Sequence, residues 1–372
     1  MSSREKKRKK RSLKPSPSPS PESTSIPSLP DDLVVSCLAR VSRLDYRNLY
    51  LVSKSFRSIL ASPELYKTRT LLGRTENCLY VCLHFPDEAN PRWFTLYRKP
   101  NHSTKKTKKK ESSCNLLAPV PILNSPPLEL SGFVPIDCNI YAISSGIEDS
   151  PCSNVWLLDC RTHTWLQAPR MRLAQSNELM YLAGSSEKSE SLNFVEVYNT
   201  KTQTWKPALP EDPNFKFGNL EGKIYMKSDK DFLAIKPKYW IGEVVELDTD
   251  SGKESICVIE NITYLYDEPS GMFVWKIFNT NGAVFRRLAG LEGLPKFARY
   301  SDVRLVNCGG KLLVLWDKYV RASGQKKKMI WCAEISLEKR SDEEIWGKVV
   351  WFDAVLTVPK SYKLVCAVAA TV

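Results

Sequence analysis

Long apolar runs are missing from this 372-residue chain: no stretch approaches the roughly eighteen apolar residues that a bilayer-spanning helix requires. Its first residues are basic and lack the apolar core of a secretory signal, so neither membrane insertion nor export is expected. Histidine is scarce, with only His84, His102 and His163, which leaves little material for His-dependent chemistry. The G-x-S-x-G, G-x-x-x-x-G-K-S/T and G-x-G-x-x-G patterns are absent. The eleven cysteines, scattered from Cys37 to Cys366, contain no C-x-x-C pair. An odd count in so long a chain points to reduced thiols in cytoplasm or nucleus, not to a disulfide framework.

One grouping resembles a metal site, namely Cys78, Cys82 and His84, which would share one face of a strand. Along a strand, however, Cys78 and His84 stand roughly 20 Å apart, far beyond two bonds of about 2.3 Å to a single zinc. Core packing is the expected role. No catalytic residue, metal or cofactor is therefore assigned.

What the chain does have is apolar material for a sizeable core, 42% hydrophobic and 10% aromatic residues, on a length that accommodates two or three domains. A net charge of +13 raises the question of nucleic acid. Residues 1–27 carry a net +6 and residues 98–111 another +6, so the remainder is close to neutral. Neither run interleaves aromatics that could stack on bases, and nucleic-acid binding is disfavoured. The first run precedes alternating proline and serine, a composition that cannot bury apolar surface, so residues 1–27 read as a disordered tail. Lys6 to Arg11 could act as a nuclear import signal, and residence in nucleus or cytoplasm is expected. The lysines at 105–110 and 326–328 read as solvated loops.

Residues 28–73 are dense in helical signals. Proline and two acids open the segment at Pro30-Asp31-Asp32, and Leu33, Val34, Cys37, Leu38 and Val41 then recur at steps of three and four. Leu44, Leu51, Val52, Phe56, Ile59 and Leu60 continue the pattern. Ser62-Pro63 starts a last helix that Gly73 ends. Three or four helices this short bury too little surface to be stable comfortably alone, so a partner surface is expected. The residues Leu29-Pro30-x-x-Leu33, Leu38, Arg40-Val41, Leu44 and Leu51-Val52-Ser53-Lys54-x-Phe56-Arg57 resemble an F-box, the module that docks on a Skp-type adaptor. The resemblance implies adaptor binding by Leu29, Pro30, Leu33, Val34, Leu38, Leu44, Leu51, Val52 and Phe56. Of these, Leu29, Pro30 and Leu33 would insert into the adaptor, and Leu51, Val52 and Phe56 would hold the later helices together.

From residue 78 the patterning changes to strands. Cys78–Phe85 and Arg92–Tyr97 read as a β-hairpin, while residues 101–127 have no period and read as a long mobile loop. VWLLDCRTHTW, ending at Trp165, aligns without a gap on VEVYNTKTQTW, ending at Trp205. The alignment places Asp159 on Asn199 and Thr162 on Thr202, and a further copy brings in Asn279 and Phe285. In each unit a short polar Asx closes a tight turn and an aromatic opens the next strand to fill a gap between units. Most of Trp156, Trp165, Trp205, Trp275, Trp331, Trp346 and Trp351 are accordingly expected in the core between units. A fainter unit at Val244–Glu254 keeps the strand and turn, and Leu312–Trp316, Ile330–Ile335 and Ile345–Phe352 supply later strands.

Units of about 40 to 50 residues, each a small antiparallel sheet, signal a β-propeller, and these resemble kelch repeats with degenerate glycines. The expected fold is thus α+β and multidomain: a small helical F-box at 28–73, then an all-β kelch-type propeller at 78–372 with five or six blades, closed by pairing of its terminal strands. The order of the two modules is similar to that of plant F-box/kelch-repeat proteins. That resemblance implies the substrate-recognition subunit of a Skp–cullin–F-box ubiquitin ligase, itself non-catalytic, with the adaptor, a cullin scaffold and a protein target as partners. A non-degradative scaffold and a propeller oxidase are the alternatives, and the scarcity of histidine argues against the oxidase.

Overall fold

The computed structural model describes residues 29–98, 115–122, 125, 131–144, 155–168, 179–184, 194–199, 202, 204–207, 216–220, 223–227, 232–235, 256–260, 262–279, 282–320 and 326–372. The tail at 1–27, the lysine run at 105–110 and the faint unit at 244–254 lie outside them.

The helical module comprises α1 (Asp31–Ala39), a 3-10 turn (Arg43–Asp45), α2 (Tyr46–Tyr50), α3 (Lys54–Leu60) and α4 (Pro63–Leu71). Pro30 caps α1 from outside the helix instead of forming its first turn, and its carbonyl oxygen accepts from the amides of Leu33 and Val34. Ser53 and Ser62 cap α3 and α4 by accepting from the amides of Phe56 and Leu65, at 3.1 and 3.4 Å. Gly73, at φ 61°, ends α4 in the left-handed region that favours glycine. Leu38, Ala39, Tyr46, Leu60 and Leu65 form the core of the module, with Val34, Phe56 and Ile59 packed against it. Arg69 is 1% exposed within the module and donates to the Ala39 and Val41 carbonyl oxygens and the Tyr46 hydroxyl, which ties α4 to the end of α1 and to α2.

The remaining described residues form six antiparallel sheets. The first joins the chain's terminal strand, β22 (Lys363–Thr371), to β1 (Asn77–His84), β2 (Arg92–Arg98) and β3 (Asn115–Pro119). Pairing of β1 with β22 is the ring closure that the repeat reading anticipates. Strand β3 falls where a continuous loop over 101–127 is expected. Leu116 and Leu117 extend the pairing of Tyr97 and Leu96, and Leu117 is 4% exposed, so burial outweighs the local absence of a period.

The second sheet holds β4 (Ser131–Ile136), β5 (Asn139–Ser144), β6 (Val155–Asp159) and β7 (Thr164–Ala168). The third comprises β8 (Leu179–Gly184), β9 (Phe194–Asn199) and β10 (Thr204–Pro207), and the fourth β11 (Lys216–Leu220), β12 (Lys223–Lys227) and β13 (Phe232–Ile235). The fifth holds β14 (Ile256–Ile259), β15 (Ile262–Asp267), β16 (Met272–Asn279) and β17 (Gly282–Arg287). The sixth is built from β18 (Arg304–Cys308), β19 (Lys311–Tyr319), β20 (Lys327–Lys339) and β21 (Ile345–Pro359).

Apolar clusters lie between neighbouring sheets. Trp275 and Tyr264 of the fifth pack with Trp316 and Val314 of the sixth, while Leu79 and Leu83 of the first pack with Leu313 and Leu315 of the sixth. A third cluster joins Tyr80 and Trp93 of the first sheet to Ile140 and Leu158 of the second, and Tyr66 of α4 enters it. The core of the ring therefore includes a side chain from the helical module.

Candidate functional site

The sequence-assigned adaptor residues divide by exposure. Leu29 is 60% exposed, Leu33 49%, Leu51 73% and Val52 63%, and Pro30 is also exposed. Leu38, at 5%, lies inside the module core, while Val34 and Phe56 pack against it. Leu38 is therefore a core residue of the module, not a surface one. The role expected of Leu51 and Val52, holding the later helices together, falls instead to Tyr46, Leu60 and Leu65. The physical reason is position: Leu51 and Val52 sit at the end of the five-residue α2, past its buried face, and point away from the core. Leu44 is partly buried and lines a cleft of about 1150 Å³ between the module and the propeller.

That junction is a feature the sequence pattern does not mark. Arg43 reaches from the 3-10 turn into the propeller, where its guanidinium donates to the Cys160 carbonyl oxygen at 3.0 Å and to the Tyr66 hydroxyl. The rings of Tyr46 and Tyr66 flank it at 5.2 and 5.3 Å. Glu76, in the connection to β1, accepts from the Arg43 amide at 2.8 Å and the Ser42 hydroxyl at 3.2 Å, and pairs with Arg69 at 3.6 Å. At the rim, Arg98 approaches Asp45 at 3.6 Å, and Arg47 lies 4.6 Å from the Tyr97 ring centre. On the propeller side, Tyr80 donates to the same Cys160 carbonyl at 2.9 Å and meets His163 Nε2 at 3.0 Å. Burial, with Arg43 nearby, pushes the His163 imidazole down to about 3, so the ring is neutral at physiological pH. Burial likewise drives the Tyr80 hydroxyl well above its ordinary range.

The repeat motif is clear in the β6–β7 turn. The Asp159 carboxylate accepts from the Arg161 amide at 2.8 Å, and its carbonyl oxygen accepts from the His163 amide at 2.7 Å. Burial opposes ionisation of Asp159, but hydrogen bonds from Arg161 hold its carboxyl below the usual range. Thr162 and Thr164 share a 2.7 Å hydroxyl contact, and Thr202 and Thr204 repeat it at 2.7 Å in the next copy. Trp165 is half-buried and packs 6.0 Å from the Trp93 ring. Asn199, Trp205 and Asn279 occupy β9, β10 and β16, and their side chains lie outside the described residues.

Phe285 departs from expectation, because it is 55% exposed beside the Lys276 ammonium at 5.2 Å instead of filling a gap between units. Asn279 pairs directly with Gly282, so this hairpin is two residues tighter than the Asp159–Thr164 turn. Phe285 accordingly pairs with Lys276, three residues before Asn279, whereas Trp165 pairs with Leu158, one residue before Asp159. Of the other tryptophans assigned to the core, Trp275 is fully buried, whereas Trp156, Trp331, Trp346 and Trp351 are half-buried. Fully buried Trp93 and Trp316 escape a reading based on repeats, since neither occupies the repeat's aromatic position. Among the described residues, no three of His, Cys, Asp and Glu group as a metal site would require, and no helix is long and apolar enough to cross a membrane.

Fold and surface together define a small helical module, with exposed apolar side chains, joined to a β-sheet region consistent with a kelch-type propeller. Comparison with known families agrees: the F-box domain model matches residues 26–68, and the FKB95, Kelch-repeats domain model matches residues 93–356. The chain is 63% identical to F-box/kelch-repeat protein At5g48990 of Arabidopsis thaliana, covering 100% of both chains. It is 61% identical to F-box/kelch-repeat protein At5g48980 of the same plant, over 94% of this chain and 93% of that one. The chain belongs to the F-box/kelch-repeat family.

Proposed function

We propose that this protein is the substrate-recognition subunit of a Skp–cullin–F-box ubiquitin ligase, with the F-box held by a Skp-type adaptor and the propeller presenting a target protein. The observation that carries the reading is the exposure of Leu29, Leu33, Leu51 and Val52 on a module whose own core is complete without them. Large apolar side chains left in water on so small a unit mark a surface that a partner covers. The chain contributes proximity, not chemistry: holding target and ligase together raises their effective concentration without an active-site residue here. The Arg43 junction supports this role, because a fixed angle between module and propeller fixes where a bound target stands relative to the scaffold. The basic block Lys6–Arg11 supports residence in nucleus as well as cytoplasm.

The test is capture of a purified Skp-type adaptor by the full chain and by Leu29→Ala with Pro30→Ala. Removing an apolar anchor is expected to weaken capture by about tenfold or more while thermal unfolding of the propeller is unchanged. Undiminished capture by the double variant overturns the reading.

A further inference from the structure

The helical module sits over the β6–β7 turn, and the β18–β19 turn, whose Cys308 thiol donates to the Asn77 carbonyl oxygen of β1 at 3.3 Å, lines the same junction cleft. Strand β19 runs from Lys311 at that cleft to Tyr319, about 27 Å along the blade at 3.4 Å per residue. Tyr319, the start of β20 and the β21–β22 turn therefore lie on the opposite face, together with the segment that enters β18.

Those segments, residues 296–304, 317–320, 326–328 and 359–363, contain nine basic residues and two acidic ones, Asp302 and Asp317. Both acids are engaged. Asp302 pairs with Arg304 at 2.8 Å, while the buried Asp317 accepts from Lys328 at 2.7 Å and from the Tyr362 hydroxyl at 2.8 Å. Lys328 is thus not a solvated loop lysine but the centre of an aromatic cage, with the Tyr319, Tyr362 and Tyr300 rings at 5.4, 5.8 and 6.0 Å. Tyr300 and Tyr319 pack against each other at 4.7 Å, and Tyr300 is 50% exposed. Above this base stand exposed ammonium groups. Lys360 donates its amide to the Lys326 carbonyl oxygen at 2.9 Å and holds its ammonium 5.8 Å from the Tyr319 ring, and Lys318 reaches the Lys296 carbonyl oxygen at 2.9 Å. Lys296, Lys326 and Lys360 are exposed and form no ion pair within the described residues.

We propose that this lysine–tyrosine cluster, on the propeller face opposite the F-box, docks an acidic segment of the target protein. The proposal rests on the receptor reading above and names the chemistry of its target. Charge complementarity selects the partner: uncompensated ammonium groups on a rigid, hydrogen-bonded base attract carboxylates and speed their encounter. The exposed rings favour peptide over nucleic acid, since Lys328, Lys360 and each other already occupy the faces of Tyr300 and Tyr319, leaving these two hydroxyl edges for carboxylates in place of faces for base stacking, while the Tyr362 hydroxyl is held by Asp317.

The probe is a fluorescent decapeptide of alternating glutamate and alanine, titrated against the full chain by anisotropy, with a DNA hairpin of equal charge in parallel. The comparison variants are Lys326→Glu with Lys360→Glu, and a charge-matched control, Arg74→Glu with Lys348→Glu, which lie away from the cluster. We expect the first pair to weaken peptide binding at least about tenfold and the control to weaken it less than about twofold, with Tyr300→Ala intermediate. Equal losses in both pairs, or hairpin binding that depends on Lys326 and Lys360 more than peptide binding does, overturn the proposal. Adaptor capture is measured on every variant and is expected to be unchanged. Failed capture by the intact chain counts against the receptor reading alone, and failed peptide binding against this proposal alone.

Discussion

Arg43 of the F-box and Cys160 of the propeller's second sheet are joined across 117 residues of sequence by a 3.0 Å hydrogen bond from guanidinium to backbone carbonyl. The carbonyl also accepts from Tyr80 of the first sheet, so one oxygen ties together three parts of the chain. A guanidinium keeps its charge in any protein setting, and here tyrosine rings and hydroxyls replace its water. The junction is thereby a specific, hydrogen-bonded joint.

Arg43→Met keeps most of the volume and removes the charge and donors. The expected cost is about 3 kcal/mol, the scale for losing charge-assisted hydrogen bonds at a partly buried site. Calorimetry should show the F-box unfolding before the propeller, and protease should cut near residues 73–76 where the intact chain resists. A single transition at the original temperature counts against the joint.

His163 makes stability depend on pH. It titrates near 6.5 in the unfolded chain but is held down to about 3 in the fold. Between those values the unfolded state binds a proton that the folded state does not, so stability falls as pH drops from about 6.5 towards 3 and is insensitive to this group above 6.5. Asparagine tolerates the positive φ of 58° at this position. Denaturant titrations of His163→Asn from pH 7.5 to 4.5 should therefore give a shallower decline than the intact chain, and parallel declines would assign the acid sensitivity elsewhere.

Leu33 and Leu38 are one helical turn and a residue apart, yet should fail differently. Leu38→Ala opens the module core and should cost about 2–4 kcal/mol, whereas Leu33→Ala, from a side chain 49% exposed, should leave the midpoint within about 0.5 kcal/mol and weaken adaptor capture. Chemical denaturation and pull-down on the same preparations separate the two.

Trp275 and Phe285 form the corresponding pair in the fifth sheet. Trp275→Ala should destabilise the propeller by about 3–5 kcal/mol because the ring is fully buried, and Phe285→Ala by less than about 0.5 kcal/mol because its ring is in solvent. Comparable midpoint losses would return Phe285 to the core.

Much of this protein is written in local patterns. Helix signals at Pro30, Ser62 and Gly73 and the paired Asx-Thr-Trp turns arise from interactions within a few residues, so the F-box and the repeating sheet unit are legible from the sequence alone. The pairing of β1 with β22 follows once the repeat is recognised, since a ring of open sheets must cover its edges. Other features depend on residues far apart in the chain. The strand at Asn115–Pro119 exists because β2 offers it an edge, and Phe285 pairs two positions further from its turn than Trp165 because its hairpin is two residues tighter. Burial separates Leu38 from Leu33, which periodicity places in one class. Only tertiary structure brings Arg43 under the Cys160 carbonyl. It also gathers lysines from four separate segments onto one face, a local charge that disappears in the near-neutral total of the sequence outside its two basic runs. Hydrogen bonds and charge act through space, so where they concentrate is decided by which segments the fold makes neighbours.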